Sequence, residues 1–276
     1  MSEPASPSPL TTPASMCSSQ KNLKLEKIYL MSRLELYSPE GLRVDGRRWN
    51  ELRRFECQTN THPNAADGSS YVQQGNSKVL CLVKGPMEHG ANLAAGTKLD
   101  PNGPVLSLNI NYPPFASYER KKRPKNDRRL QEISIILKRC FMKTIVLKNY
   151  PRTAIDINLT VLAMDGGLLA CFCNAITLAL IDAGISLYDY VSAVSVGLYD
   201  QTPLLDMNAL EENDLSFITI GVVGDSDKLN LTLCEDKLPL DKLERLISLG
   251  IEGCHRLKEL MDLQVRVAGG QLQERQ

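Results

Sequence analysis

The residues best suited to chemistry begin at Asp165-Gly166-Gly167-Leu168-Leu169-Ala170, which opens a long apolar run. Paired glycines at the start of a helix can turn backbone N–H groups toward a phosphate. Leu168 and Leu169, however, carry no hydroxyl and no cation that would hold an anion. The stretch therefore predicts a phosphate-type turn without its charged residues. The alternative explanation of the two leucines is ordinary core packing, which agrees with a lost anion site.

A second candidate is a pair of carboxylates, Asp200 and Asp206, separated by Gln201-Thr202-Pro203-Leu204-Leu205. Fully extended, this gap would span roughly 20 Å. We expect a turn near Thr202-Pro203 to fold the two carboxylates back toward each other. The alternative is that both aspartates serve only a turn and the solvent.

The densest positive stretch runs from Glu119 to Arg129, and its cations are Arg120, Lys121, Lys122, Arg123, Lys125, Arg128 and Arg129. Such a cluster attracts a phosphate backbone without regard to base sequence. Pro124 predicts a loop over Arg120 to Lys125, whereas Arg128 and Arg129 fall at a helix start, where cations oppose the helix dipole. A solvated charge run and a nuclear import patch at Lys121–Lys125 remain alternatives.

The surrounding pattern supplies the elements that must position these residues. Apolar alternation or β-rich composition predicts strands at 54–61, 70–74, 78–84, 105–112, 153–162, 191–199, 216–223 and 229–234, with a hairpin turn at 75–77. Helical periodicity predicts helices over 126–147 and from Asp241 onward, and a buried helix from Leu168 to Ala183 that ends at Gly184. Strands bunched between helices indicate an α+β fold with mixed sheets.

Composition narrows the classes of protein that fit. The 32 basic and 32 acidic residues give no net charge, so any nucleic-acid contact must come from a local patch. The eight cysteines include no CxxC pair and suit a reducing compartment. We expect no transmembrane span and no signal peptide. Residues 1–30 are predicted to be a disordered Ser/Pro-rich extension.

Several motifs, in order, resemble the RNase PH family. They are Leu42-Arg43-Val44-Asp45-Gly46-Arg47-Arg48, Ala66-Asp67-Gly68-Ser69-Ser70, Gln74-Gly75-Asn76-Ser77-Lys78, Tyr150-Pro151-Arg152-Thr153, Asp165-Gly166-Gly167 and Leu180-Ile181-Asp182-Ala183-Gly184-Ile185. The resemblance implies a βαβα-based RNase PH-like domain over 31–276, with halves at about 43–184 and 185–265. It also implies a six-membered ring through which single-stranded RNA is threaded.

The resemblance also assigns roles to the candidate residues. Phosphorolytic members carry two aspartates, matched here with Asp200 and Asp206, of which one acts as general acid or places a divalent metal. They also place a hydroxyl residue and an arginine after the paired glycines, where this chain has Leu168 and Leu169. A leucine would desolvate a phosphate at a cost of several kcal/mol. Arginines matching Arg128 and Arg129 line the RNA path.

These features together predict a non-catalytic ring subunit of the RNA exosome, without a cofactor or metal, active in ribosomal RNA processing and messenger RNA turnover. Its expected partners are other RNase PH-like ring subunits, RNA-binding cap subunits, a hydrolytic nuclease and single-stranded RNA. The expected location is the nucleus, nucleolus and cytoplasm. The rival predictions are an active phosphate-dependent 3′-to-5′ exoribonuclease and a free-standing RNA-binding protein. The latter is disfavoured because an isolated ring domain would expose large apolar faces.

Overall fold

The computed structural model describes residues 36–38, 40–88, 105–117, 120 and 127–274. The predicted extension over residues 1–30 and the cations Lys121, Lys122, Arg123 and Lys125 lie outside this part of the chain. Two compact units divide the chain after Arg48. In the first, Tyr37 and Arg43 form an isolated antiparallel bridge. All the named strands and helices lie in the second unit, and the first of them begins at Phe55.

The second unit contains two β-sheets. The first sheet has the order β1-β2-β3-β5-β4, in which β4 alone runs parallel to its neighbour, and the second is antiparallel with the order β7-β6-β8-β9. The strands are β1 Phe55–Thr59, β2 Gly68–Gln74, β3 Ser77–Glu88, β4 Val105–Asn111, β5 Thr153–Ala163, β6 Val191–Tyr199, β7 Thr202–Leu205, β8 Ser216–Val223 and β9 Leu229–Cys234. Mixed sheets packed with helices confirm the predicted α+β class.

Four α-helices accompany the sheets in the described residues: α1 Arg128–Thr144, α2 Leu168–Asp182, α3 Ala209–Asp214 and α4 Leu240–Glu274. Short 3-10 turns lie at Pro114–Ala116 and Leu147–Asn149. None of the described helices combines the length and apolar character needed to cross a bilayer.

Helix α2 is the centre of the core. It contacts β2 and β3 of the first sheet and β6 of the second, so nearly its whole circumference is buried. This explains why the sequence is apolar all round rather than on one stripe. The helix ends as predicted at Gly184, which has a φ of +70°. The Gly184 and Ile185 N–H groups donate to the carbonyls of Ile181 and Leu180, which caps the last turn.

The connection between the candidate carboxylates differs from the prediction. Thr202 and Pro203 do not form the turn but begin the strand β7, and the chain reverses at Asp200-Gln201. Pro203 is tolerated because β7 is an edge strand, where a missing N–H removes no ladder hydrogen bond.

Candidate functional site

The glycine turn lies between the end of β5 and the first residue of α2. Gly166 and Gly167 both adopt left-handed conformations, with φ of +73° and +63°. A Cβ added at Gly166 would lie 2.6 Å from the carbonyl carbon of Asn208, and one at Gly167 would lie 2.8 Å from Nη2 of Arg53. Both positions therefore need glycine for conformation and for space.

Ser77, the first residue of β3, and Asn76, in the turn just before it, hold the glycine turn. The Ser77 hydroxyl donates to the Gly166 carbonyl oxygen at 2.7 Å and accepts from the Asp165 N–H at 2.9 Å. The Asn76 amide donates to the Asp165 carboxylate at 3.0 Å. Side chains at the start of β3 thus fix the turn from one side, so it does not depend on a bound ligand for its shape.

Asp206 is fully buried and forms an ion pair with Arg53, with 2.8 Å between Arg53 Nη2 and Asp206 Oδ1. Arg53 Nε also donates to Oδ1, its backbone N–H donates to Oδ2, and the Gln74 amide donates to Oδ1. Arg53 Nη1 and Nη2 donate further to the carbonyls of Asp165 and Gly166. The Arg53 guanidinium therefore joins Asp206 to the glycine turn.

The electrostatics follow from this pairing. Burial alone would lower the pKa of Arg53, but the charge and hydrogen bonds of Asp206 raise the pKa above its ordinary value. Both carboxylate oxygens of Asp206 accept hydrogen bonds from the protein, so a metal would have to displace Arg53. The residues around Asp206 therefore do not fit a divalent metal, and the described residues contain no group of three or more His, Cys, Asp or Glu side chains placed to hold one.

Asp200 lies at the other end of the β6–β7 hairpin. It is exposed at the turn, with a φ of +47°, and its carbonyl accepts a hydrogen bond from Lys242 Nζ. Asp206 lies beyond the far end of β7, where its N–H donates to the Ser195 carbonyl. At 3.3 Å per residue, about 15–20 Å separates the two along the strand. The expectation that the chain folds these carboxylates together is wrong, because the strand keeps them apart.

Glu212, which sequence reasoning missed, lies at the glycine turn instead. The Gly167 N–H donates to its carboxylate at 3.3 Å. Burial raises the pKa of Glu212, while the Gly167 hydrogen bond and the nearby Arg53 and Arg129 oppose that rise. The chain's own carboxylate thus accepts the hydrogen bond that an anion at this helix start would accept. The available sequence signal was the capping box of α3, formed by Asn208 and Glu211.

Leu168 and Leu169 begin α2 as predicted. Leu169 belongs to the hydrophobic core, and Leu168 packs against that core from a partly buried position. Both line a cavity of about 70 Å³ with Arg129, Glu212, Met164 and other residues. The leucines therefore lie in one cavity with Arg129 and Glu212, and their own side chains contribute apolar walls without a hydrogen-bond donor.

Arg128 and Arg129 form the first turn of α1. Their side chains are 92% and 67% exposed, and Arg128 pairs with Glu132 at 3.1 Å while Arg129 lies 3.8 Å from Glu235. Asp127 caps the helix by accepting from the Arg129 N–H at 3.3 Å. Exposed pairs of this kind are worth only about 0–1 kcal/mol, so a phosphate can compete for both arginines. Arg120 is also exposed.

Comparisons with known proteins agree with this architecture. Models of the 3′ exoribonuclease family match residues 51–186 as its domain 1 and residues 189–253 as its domain 2. The chain is 56% identical over 237 residues to the exosome complex component SKI6 of Saccharomyces cerevisiae, covering 86% of this chain and 95% of the relative. It is 36% identical over 237 residues to human exosome complex component RRP41, with the same two shares.

Two solved structures give the corresponding similarity in three dimensions. Rice Rrp46 superimposes with a TM-score of 0.71 at 26% identity, covering 81% of this chain and all of that one. A chain of the Archaeoglobus fulgidus exosome superimposes with a TM-score of 0.68 at 21% identity, covering 86% of this chain and 97% of that one, which shows the shared fold. The predicted resemblance is confirmed, and the chain belongs to the 3′ exoribonuclease, or RNase PH, family.

Proposed function

We propose that this protein is a non-catalytic ring subunit of the RNA exosome that guides single-stranded RNA to a nuclease carried by another subunit. Its membership of the complex is supported by the yeast and human relatives, both named exosome complex components. The archaeal structure that shares its fold is an exosome with RNA bound to the active site.

The absence of catalysis is carried by one observation, the contact between the Gly167 N–H and the Glu212 carboxylate. Phosphorolysis needs a highly charged phosphate held beside a negatively charged diester, which requires fixed cations and donors. Here a carboxylate, at 3.3 Å, accepts from the turn that would bind the phosphate. Glu212 would repel that phosphate, and Leu168 offers it no hydrogen bond.

Asp206 supports the same proposal independently. A general acid must be able to exchange its proton with the substrate, and a metal-placing carboxylate must have a free oxygen. Asp206 has no exposed surface, and Arg53 holds it as a carboxylate through both oxygens. Asp200 remains exposed, but it lies at the distant end of the hairpin. We propose that Asp200 and Asp206 are vestiges of a catalytic site that no longer functions.

RNA guidance rests on Arg128 and Arg129, whose side chains are exposed. Arg129 also lines the cavity at the glycine turn with Leu168 and Glu212. Arg120, Lys121, Lys122, Arg123 and Lys125 extend the positive charge in sequence. We propose that these cations contact the RNA backbone, with other RNase PH-like subunits, RNA-binding cap subunits and a hydrolytic nuclease as partners. A nuclear, nucleolar and cytoplasmic location is proposed from the exosome assignment and the basic patch at Lys121–Lys125.

The test of inactivity uses the reconstituted ring with single-stranded RNA, magnesium and inorganic phosphate. We expect no phosphate-dependent release of nucleoside diphosphates from the ring, and addition of the hydrolytic nuclease should yield nucleoside monophosphates. Phosphate-dependent diphosphate release by the ring would establish the rival function, an active phosphorolytic exoribonuclease.

The test of RNA guidance compares two double variants of α1 with equal loss of charge. Arg128→Gln with Arg129→Gln should weaken RNA binding to the ring and reduce the slope of log K against log salt by about 1.4, since each lost phosphate contact contributes about 0.7. Arg139→Gln with Lys143→Gln, near the other end of the same helix, is the control. Equal salt slopes for the two variants would refute the assignment.

A further inference from the structure

The side chain of Phe115 is out of place for a structural residue. The sequence has five phenylalanines, and the other four are buried or half-buried, whereas Phe115 is 64% exposed. Burying such a ring contributes about 1.5–3 kcal/mol, and its neighbour Ala116 is buried at 5% exposure. The turn therefore buries a methyl group and presents the larger apolar group to solvent.

Hydrogen bonds on both sides of Phe115 hold the backbone of this turn. Pro113 and Pro114 restrict the chain before it, and the Ala116 N–H donates to the Pro113 carbonyl at 3.1 Å. The Ala116 carbonyl accepts from the Met164 N–H at 3.1 Å, which ties the turn to the end of β5. Phe115 thus lies on a preorganised element, so ordering it on binding costs little entropy.

The location of Phe115 connects it with the cations. The turn follows β4, and β4 and β5 are parallel, so both strands end at the edge where the glycine turn begins. Met164, whose N–H donates the hydrogen bond to the Ala116 carbonyl, lines the same cavity as Arg129. The Arg120 N–H donates to the Ser117 carbonyl at 3.1 Å, which keeps Arg120 near the end of this element. An exposed aromatic ring on a hydrogen-bonded turn therefore lies at the edge that carries exposed arginines.

Aromatic rings between cations are the combination that binds single-stranded nucleic acid, because bases stack on the ring while cations contact the phosphates. We propose that Phe115 is a stacking platform for one base of single-stranded RNA. The proposal rests on the RNA-guiding function above and adds a base contact to it. It is compatible with the sequence-independent phosphate attraction expected of the basic segment, since stacking accepts any base and gives no sequence readout.

The proposal is tested on the reconstituted ring with fluorescently labelled single-stranded RNA. Stacking is worth about 1–3 kcal/mol per base, so Phe115→Ala should weaken binding by roughly 5- to 150-fold. Phe115→Trp should keep the wild-type affinity, whereas Phe115→Leu, which preserves apolar bulk without a ring face, should lose nearly as much as Phe115→Ala. The salt slope should not change in any of the three, because no cation is removed.

Abasic RNA provides the matched control for the ligand. Wild-type and Phe115→Ala rings should bind an abasic tract of equal length with equal affinity, because no base is present to stack. Equal loss on abasic and normal RNA would overturn the proposal. Failure of the Phe115→Ala protein to assemble into the subunit ring would also overturn the proposal. The Phe115 side chain would then be needed for contact with a neighbouring subunit. These readouts are independent of diphosphate release, so they fail separately from the inactivity proposal.

Discussion

Replacing Arg53 by methionine is the most direct perturbation of the site, because it leaves the Asp206 carboxylate buried without its cation. Breaking a buried ion pair by removing one partner costs about 3–5 kcal/mol. Asp206 has no exposed surface, and Arg53 also donates to the Asp165 and Gly166 carbonyls. We therefore expect Arg53→Met to lower the free energy of unfolding by an amount in that range.

The neighbouring arginine supplies a matched control. Arg54 pairs with Glu56, but its side chain is 81% exposed, so Arg54→Met should cost less than about 1 kcal/mol. The double variant Arg53→Met with Asp206→Asn removes the uncompensated charge and should recover a large part of the loss. Recovery would show that the cost arises from the charge rather than from lost packing.

The assay is urea unfolding followed by tryptophan fluorescence. The chain has a single tryptophan, Trp49, whose carbonyl accepts a hydrogen bond from the Leu205 N–H at 2.8 Å, one residue before Asp206. Its emission therefore reports on this part of the molecule, and the midpoint gives the change in stability if the slope is constant. An Arg53→Met midpoint equal to that of Arg54→Met would refute the reasoning.

Three further predictions concern the same unit. Because the pKa of Glu212 in the folded chain is raised above its ordinary 4.5, the free energy of unfolding should fall as pH rises from about 4.5 through the raised value. Glu212→Gln should reduce this fall, as measured by urea midpoints at several pH values. Identical pH profiles of the two proteins would contradict the effect of burial. Gly167→Ala should lower the free energy of unfolding by more than about 1 kcal/mol. Gly270→Ala should raise it by up to about 1 kcal/mol, because a Cβ added there meets no atom within 4 Å. Equal shifts of the two urea midpoints would be inconsistent with the left-handed turn at Gly167. Among the cysteines of the described residues, only the exposed Cys234 should react with a thiol reagent in the native protein, as mapped by peptide mass. Burial protects the other thiols and raises the pKa of Cys171, for example, to about 12. Early labelling of Cys171 would argue against the core as described.

The long elements could be predicted from sequence because their periodicity reflects burial. Helix α2 was found from its unbroken apolar run, and its end from Gly184. The strand β7 was missed because it has only four residues and contains Pro203, which favoured a turn. Helix α3, with six residues, is too short for a periodic signal.

The site was less predictable than the fold, because its contacts join distant parts of the chain. The glycine turn and Leu168 were identified locally, from residues next to each other. The pairing of Arg53 with Asp206 carries no local signal, since both residues are common surface types. Glu212 lies in the short α3 helix, and only the approach of that helix to Gly167 brings its carboxylate to the turn.

The pairing of Arg53 with Asp206 also has a consequence for synthesis on the ribosome. The two residues are 153 positions apart, so at about 5–20 residues per second roughly 8–30 s pass between their appearance. During that interval the first sheet and its glycine turn lack the carboxylate that neutralises Arg53. We expect the first sheet and its glycine turn to reach their native state only after the chain has been made as far as Asp206, which supplies that carboxylate.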